Sequence, residues 1–219
     1  FRNGEMTPLH NPEFTMIEWY RIDADYEDIM AETEALIRYI AGAVFQNAIF
    51  SYGGHEVSLQ SPWPRQSIAS LFEEKASIRL NDCPSVAALS RAAKSAGILT
   101  DPNDSWETIF FRIFLDKIEP ALGWPRPQFI HDYPSPMALM ARHKKDDPFW
   151  VERAELYIAG LEIANGYSEL INAAEQHDRF ISEQRHMPSD QSSSFPSIDY
   201  DLMAALKSGL PPCAGMALG

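Results

Sequence analysis

Apolar and polar residues alternate along positions 13–20, where Phe14, Met16 and Trp19 interleave with Glu13, Thr15, Glu18 and Tyr20. That is the period of a strand, slipping by one position near Ile17. A helix follows. Asp25 can cap it with Asp28 three residues on, and Ile29, Leu36, Ile37 and Ile40 form an apolar stripe to about residue 46. Residues 51–60 read as a turn and a short strand, and Pro62-Trp63-Pro64 leads into a helix near 66–75. Pro84 and Ser85 open a helix that ends near Gly97. Asp104 or Ser105 caps the most apolar helix, 106–122, whose Ile109, Phe110, Ile113, Phe114 and Leu115 predict burial between a sheet and an outer layer.

Residues 128–130 form a strand, with His131-Asp132-Tyr133-Pro134 leading out of it and Pro134 and Pro136 ending regular pairing. Residues 144–148 are a charged turn. In 152–170 the strand pattern returns: Arg153, Glu155, Tyr157 and Ala159 share one face and Ala154, Leu156 and Ile158 the other. Gly160 permits a turn and a second strand begins near Leu161. Asn165-Gly166 is either a tight hairpin turn or part of a bulged strand that presents Glu162, Asn165 and Glu169 to one pocket. Asn172 and Glu175 make a capping-box arrangement for a helix over 173–186. Residues 187–196, with serines and prolines, are a mobile-loop candidate; 198–207 form a last short helix closed by Gly209 and Pro211, and 213–219 read as a strand. Strands separated by helical insertions predict an α+β domain over 1–219, with a mixed, mostly antiparallel sheet, helices packed on it and a helical insertion at about 62–122.

A chain of 219 residues, 45% of them hydrophobic, can bury one substantial core. Its 18 Lys plus Arg against 31 Asp plus Glu give a net charge of −13, which disfavours nonspecific nucleic-acid binding and suits a basic or polyamine-like substrate. Cys83 and Cys213 lie far apart and the six histidines are scattered, so neither a disulfide framework nor a zinc site is supported. No apolar run is long enough to span a bilayer and no leader opens the chain, which predicts a cytoplasmic protein without a membrane partner. The absence of an initial Met and the apolar end at Gly219 read as a piece of a larger protein.

The carboxylates carry the chemistry. Glu13 and Glu18 among aromatic residues fit a cationic or metal-bound ligand lying on the sheet, or an edge strand whose carboxylates face water. Glu155, Glu162 and Glu169 with Asn165 suit Mg²⁺ or an amine, since hard cations take oxygen donors; surface ion pairs with Arg153 are the alternative. Phe14, Met16 and Tyr20 also fit ordinary packing.

Taken together, Phe1-Arg2-Asn3, the run 10–20, the segment 155–170 and the end 209–219 resemble motif 2, the segment before motif 3 and the start of motif 3 of class II lysyl-tRNA synthetases. Trp19 and Ala217 make the likeness closer to the elongation factor P lysine ligases, a related family. That resemblance implies the class II synthetase fold, an ATP-dependent ligase using Mg²⁺, and two steps: adenylation of (R)-β-lysine or lysine, then transfer to a lysine of elongation factor P. It implies that Arg2 contacts the α-phosphate. Asn3, His10, Asn11, Phe14, Glu162, Ile163 and Gly219 would line the nucleotide site, and Glu155 and Glu162 would hold Mg²⁺. Glu18, Tyr20, Asn165, Glu169 and Ala217 would receive the substrate. Ala217, where synthetases generally carry Gly, would favour β-lysine, one methyl being worth roughly 1–3 kcal/mol in a tight pocket. The alternatives are a lysyl-tRNA synthetase catalytic domain and a non-catalytic paralogue. With the charge of −13, the resemblance places elongation factor P as the partner, disfavours tRNA and implies a family homodimer, doubtful for a fragment. Gly4 stands where the family has Glu, with the acid one place later at Glu5, and Pro212 where the ligases have Asp. Motif 1 and the motif 3 arginine are not in the chain, so the piece alone is expected to be inactive.

Overall fold

The computed structural model describes residues 6–7, 10–138, 140–186 and 198–219. A six-stranded sheet forms its centre. In chain order its strands are β1 (Ile17–Ile22), β4 (Arg65–Ser67), β5 (Gln128–Pro134), β6 (Trp150–Ile158), β7 (Leu161–Ser168) and β8 (Cys213–Leu218). They lie in the order β1-β8-β7-β6-β5-β4, antiparallel throughout except for the parallel pair β4 and β5. A separate hairpin, β2 (Ile49–Tyr52) with β3 (His55–Ser58), stands apart from it. This is the mixed, mostly antiparallel sheet flanked by helices of a class II synthetase-like α+β fold.

Helix α1 (Tyr26–Phe45) starts where the sequence predicts. Asp25 accepts from the backbone N–H groups of Glu27 and Asp28, and the Asp28 carboxylate accepts from the Asp25 N–H, a reciprocal cap. Its Tyr26, Ile29 and Met30 pack with Phe129, Ala154, Leu156, Ala164, Ala214 and Met216 on one face of the sheet. Helices α2 (Ile68–Ala76), α3 (Val86–Ser95) and α4 (Trp106–Ile113) build the larger core on the opposite face, with Ile130, Tyr133 and Tyr157. Phe129 and Ile130 are neighbours in β5 and both fully buried, yet they enter different cores because successive strand residues point to opposite faces. Each such burial contributes about 1.5–3 kcal/mol. The larger core covers the β4–β5 end of its face. Toward β6, β7, β8 and β1 the same face carries polar side chains.

Several boundaries differ from the sequence reading. Residues 13–16 precede the strand, which begins at Ile17. The apolar helix over 106–122 changes pitch: α4 gives way to a π turn, Phe114–Ile118, and a 3₁₀ turn, Glu119–Ala121, because Pro120 has no N–H with which to continue the ladder. Strand β5 runs on to Pro134, accommodating Asp132 in a bulge at φ +60° rather than ending at Ile130. Gln66 and Ser67, predicted at a helix start, instead form β4 together with Arg65. The turn between β6 and β7 is Ala159-Gly160, both at positive φ as a two-residue hairpin requires, so Asn165 and Gly166 lie inside β7 and the hairpin alternative there falls. The end helices are α5 (Ala173–His186), with Asn172 accepting from Ala174 and Glu175, and α6 (Tyr200–Ser208). Residues 187–196 lie outside the described residues. Both cysteines are free and buried. Among the described residues, no helix is long and apolar enough to cross a membrane.

Candidate functional site

Strand register assembles the polar face. Ile130 pairs with Glu155, Glu155 with Asn165, Asn165 with Ala217 and Ala217 with Glu18, so one row crosses five strands. Two residues along, Arg153, Tyr167, Gly215 and Tyr20 form a second row on the same face. Ala217 and Glu18, far from Glu155 and Asn165 in sequence, are thus brought into one row with them. Between Leu156 and Tyr157 the register with β7 shifts: Leu156 faces Ala164 and Tyr157 faces Glu162, leaving Ile163 without an opposite residue. That extra residue turns Glu162 to the side occupied by Asn165.

One end of this face is a bonded acidic corner. Arg153 and Glu155 are both buried, and Arg153 Nη2 donates to Glu155 Oε1 at 2.7 Å. Arg153 Nε donates to Asn165 Oδ1 at 3.2 Å, which fixes the amide so that Nδ2 donates to Glu155 Oε1 at 3.1 Å and Glu162 Oε1 at 3.3 Å. The Tyr157 hydroxyl donates to Glu155 Oε2 at 3.2 Å, and its own ionisation is pushed up by burial and by Glu155. Among the described residues, no group of three or more His, Cys, Asp or Glu side chains is arranged to hold a metal ion. The oxygen donors here are therefore a pair of carboxylates, Glu155 and Glu162.

The other end is an acidic pocket. The Tyr20 hydroxyl donates to Glu18 Oε1, and that bond, then burial, raises its pKa. Glu169 follows β7, its N–H held by Cys213 O at 2.9 Å and its backbone bridged to Ala141. Burial and the nearby Glu18 charge push the Glu169 carboxyl up to about 7. Tyr167 is pushed up to about 12 by burial and by Glu169. Among the described residues neither Glu18 nor Glu169 makes an ion pair, so an ammonium group entering here would meet two uncompensated carboxylates. Gly215 gives the pocket its floor: a methyl there would lie 2.6 Å from Cε1 of Tyr20, so only glycine lets the ring lie across β8.

The remaining sequence-predicted residues among those described are Phe14, Ile163, Gly219, His10 and Asn11. Phe14 is exposed and its ring lies against Gly219, whose N–H donates to Ile163 O at 3.2 Å. His10 is exposed, with Nδ1 2.7 Å from Thr7 Oγ1, and Asn11 is exposed beside it. Arg2 and Asn3, with Gly4 and Glu5, lie outside the described residues. The sequence reading missed three members. Arg153 is the buried centre of the acidic corner rather than a surface partner. Tyr167 stands between corner and pocket. Glu119, aimed by the π and 3₁₀ turns, has its carboxyl raised by burial and by Glu155, with His10 opposing the shift. Strand parity already set Arg153 beside Glu155, and only its burial escaped the pattern; Tyr167 shares parity with Glu169, a signal that a face count carried into the second strand would have used. No local signal marks Glu119.

Comparison with known proteins gives a consistent result. The family profile described as tRNA synthetases class II (D, K and N) matches residues 1–219. The chain is 36% identical over 222 residues to a lysine–tRNA ligase of Pelotomaculum thermopropionicum, covering 100% of this chain and 43% of that protein. It is 35% identical over 221 residues to the lysine–tRNA ligase of Staphylococcus haemolyticus and 33% over 219 residues to that of Carboxydothermus hydrogenoformans, in both cases with 100% of this chain and 44% of the relative covered. The chain thus spans less than half the length of these curated relatives. They favour the synthetase alternative over the elongation factor P ligase. They also overturn the expectation that tRNA is disfavoured as a partner. That expectation rested on the overall charge of −13, a global quantity that says nothing of a local surface able to meet an acceptor strand.

Proposed function

From the premise that this chain belongs to the class II tRNA synthetase family of the D, K and N enzymes, we propose that it is the lysine-activating catalytic region of a lysine–tRNA ligase. One observation carries the reading: the acidic pocket of Glu18, Tyr20 and Glu169 shares a sheet face with the Glu155–Glu162 corner, in a chain that aligns over its whole length with lysine–tRNA ligases.

In this reading the substrate ammonium binds Glu169 and Glu18, with Tyr20 bridging, and the lysine stem lies over Gly215 and Ala217 toward Asn165. The lysine carboxylate attacks the α-phosphorus of ATP, the bond to the β-phosphate oxygen breaks, and lysyl-adenylate and pyrophosphate result. The 3′-terminal hydroxyl of tRNA then attacks the activated carbonyl, loses its proton and releases AMP. The carboxylate is already a nucleophile, so the first step needs orientation more than a base. The chain's own residues supply that orientation. Phe14, against Gly219, offers a face for adenine, His10 and Asn11 edge the phosphates, and Arg2 is suited as a planar donor to the α-phosphate. Glu162, with the lone pairs of Glu155 that Arg153, Asn165 and Tyr157 leave open, would hold a hard divalent cation whose other ligands come from phosphates and water. Mg²⁺ held there would neutralise phosphate charge.

The test is lysine-dependent exchange of pyrophosphate into ATP by the intact protein, followed by transfer of labelled lysine. Exchange with lysine but not arginine or norleucine, and label recovered on tRNA, are the expected results. Label carried only to a protein lysine would overturn the acceptor, and absence of exchange with any amino acid would overturn the activity.

A further inference from the structure

The polar face carries two acidic groups, Glu18 with Glu169 and Glu155 with Glu162, and a substrate ammonium is attracted to both. Between them lies Arg153, opposite Tyr167 in the row that also holds Gly215 and Tyr20. Its guanidinium is held by three groups: Nη2 donates to Glu155 at 2.7 Å, Nε to Asn165 Oδ1 at 3.2 Å and Nη1 to Met137 O at 3.1 Å. The guanidinium also sits 4.5 Å above the Tyr133 ring, and the side chain is buried. A planar fork used in this way has no freedom to turn toward Glu169. We propose that Arg153 is a specificity-determining positioning residue. It cancels the charge of Glu155 and turns the Asn165 amide nitrogen toward Glu155 and Glu162, which leaves Glu18 and Glu169 as the carboxylate pair that draws the ammonium of a basic amino acid. Lysine and nucleotide then bind side by side without competing. The inference rests on the lysine-activation reading above.

The test measures nucleotide affinity of the intact protein, with fluorescent ATP and Mg²⁺, in the absence and presence of saturating lysine. In the wild type lysine leaves that affinity unchanged or raises it. In Arg153→Gln the ammonium competes at Glu155, so lysine weakens nucleotide binding about tenfold, while norleucine, which lacks the ammonium, does not. In Arg153→Gln/Glu155→Gln nucleotide binds more weakly throughout, because Glu155 is a proposed Mg²⁺ ligand, but the further weakening by lysine disappears, an outcome a merely structural arginine would not produce. Should Arg153→Gln fail to fold, Glu155→Gln decides: an uncompensated Arg153 lowers lysine affinity, measured calorimetrically without nucleotide, about tenfold and leaves norleucine untouched. A folded Arg153→Gln protein that binds both ligands without antagonism overturns the proposal, as does unchanged lysine affinity in Glu155→Gln. A wild-type protein that binds neither lysine nor ATP refutes the functional reading instead.

Discussion

Replacing Glu169 by Gln keeps the shape of the pocket and removes one charge. Glu169 is buried, its carboxyl is raised to about 7 by burial and by Glu18, and no cation of the described residues offsets it. A hydrogen bond to a charged group contributes about 1.5–3 kcal/mol, so lysine affinity should fall roughly 10- to 150-fold. ATP affinity should change little, because the acidic corner lies across Arg153. The pH dependence separates this cause from general damage. In the wild type the pocket is ready only when Glu169 is ionised, so lysine affinity falls as pH drops through about 7, approaching tenfold per unit below it. In the Gln variant that dependence vanishes. Stability should move the other way. The folded-state pKa lies above the unfolded value of 4.5, so the folded empty protein holds a proton that the unfolded chain has lost, and stability declines as pH rises from about 4.5 through about 7. Gln removes that decline, making the empty variant more stable above pH 7 by about 2 kcal/mol or less once solvent screening is allowed for. Calorimetric lysine titrations across this range, with thermal melts alongside, read all three effects. Equal loss of lysine and ATP affinity, or an unaltered pH profile, would refute the reasoning.

Three further outcomes follow from geometry. Gly215→Ala drives a methyl into the Tyr20 ring and should cost about 1–3 kcal/mol of stability by denaturant unfolding, together with a selective rise in the KM for lysine. Asp132 accepts from Tyr26 at 2.7 Å and Lys144 at 2.8 Å; although burial alone would raise its pKa, these bonds and His131 lower it to about 2, so its stabilisation is present above 3.8 and lost as pH falls toward 2. Asp132→Asn should therefore abolish that part of the acid-melting profile. Asp25→Ala removes the α1 cap and should cost about 1 kcal/mol in a thermal melt, with no effect on lysine affinity.

What the sequence made legible was local. The Asp25 cap, the Gly160 turn and the α5 start at Asn172 depend on a few adjacent residues and appear where the pattern puts them. The spacing of Glu162, Asn165 and Glu169 marked a polar strand but assigned all three to one pocket; the fold keeps Glu162 and Asn165 with Glu155 and sets Glu169 beside Glu18 instead. Other features depended on partners distant in the chain. The register that sets Glu18 beside Ala217 and Asn165 is fixed by pairing across three strands. The bulge at Asp132 is held by Tyr26 and Lys144, and the path of Glu119 by a π turn that periodicity treated as plain helix. Arg153 was visible, but its burial was not, since charged residues are rarely placed inside before their partners are known. The reading of tRNA failed for a related reason: a net charge of −13 averages over a surface on which recognition is local.

The central claim is that a lysine ammonium and a nucleotide occupy opposite ends of one sheet face. A crystal structure of the intact protein with a non-hydrolysable analogue of lysyl-adenylate tests it most directly. The ammonium should lie within hydrogen-bond distance of Glu169 and of the Glu18–Tyr20 pair, and the adenine against Phe14 and Gly219. An ammonium seated instead at Glu155 and Glu162 would contradict it.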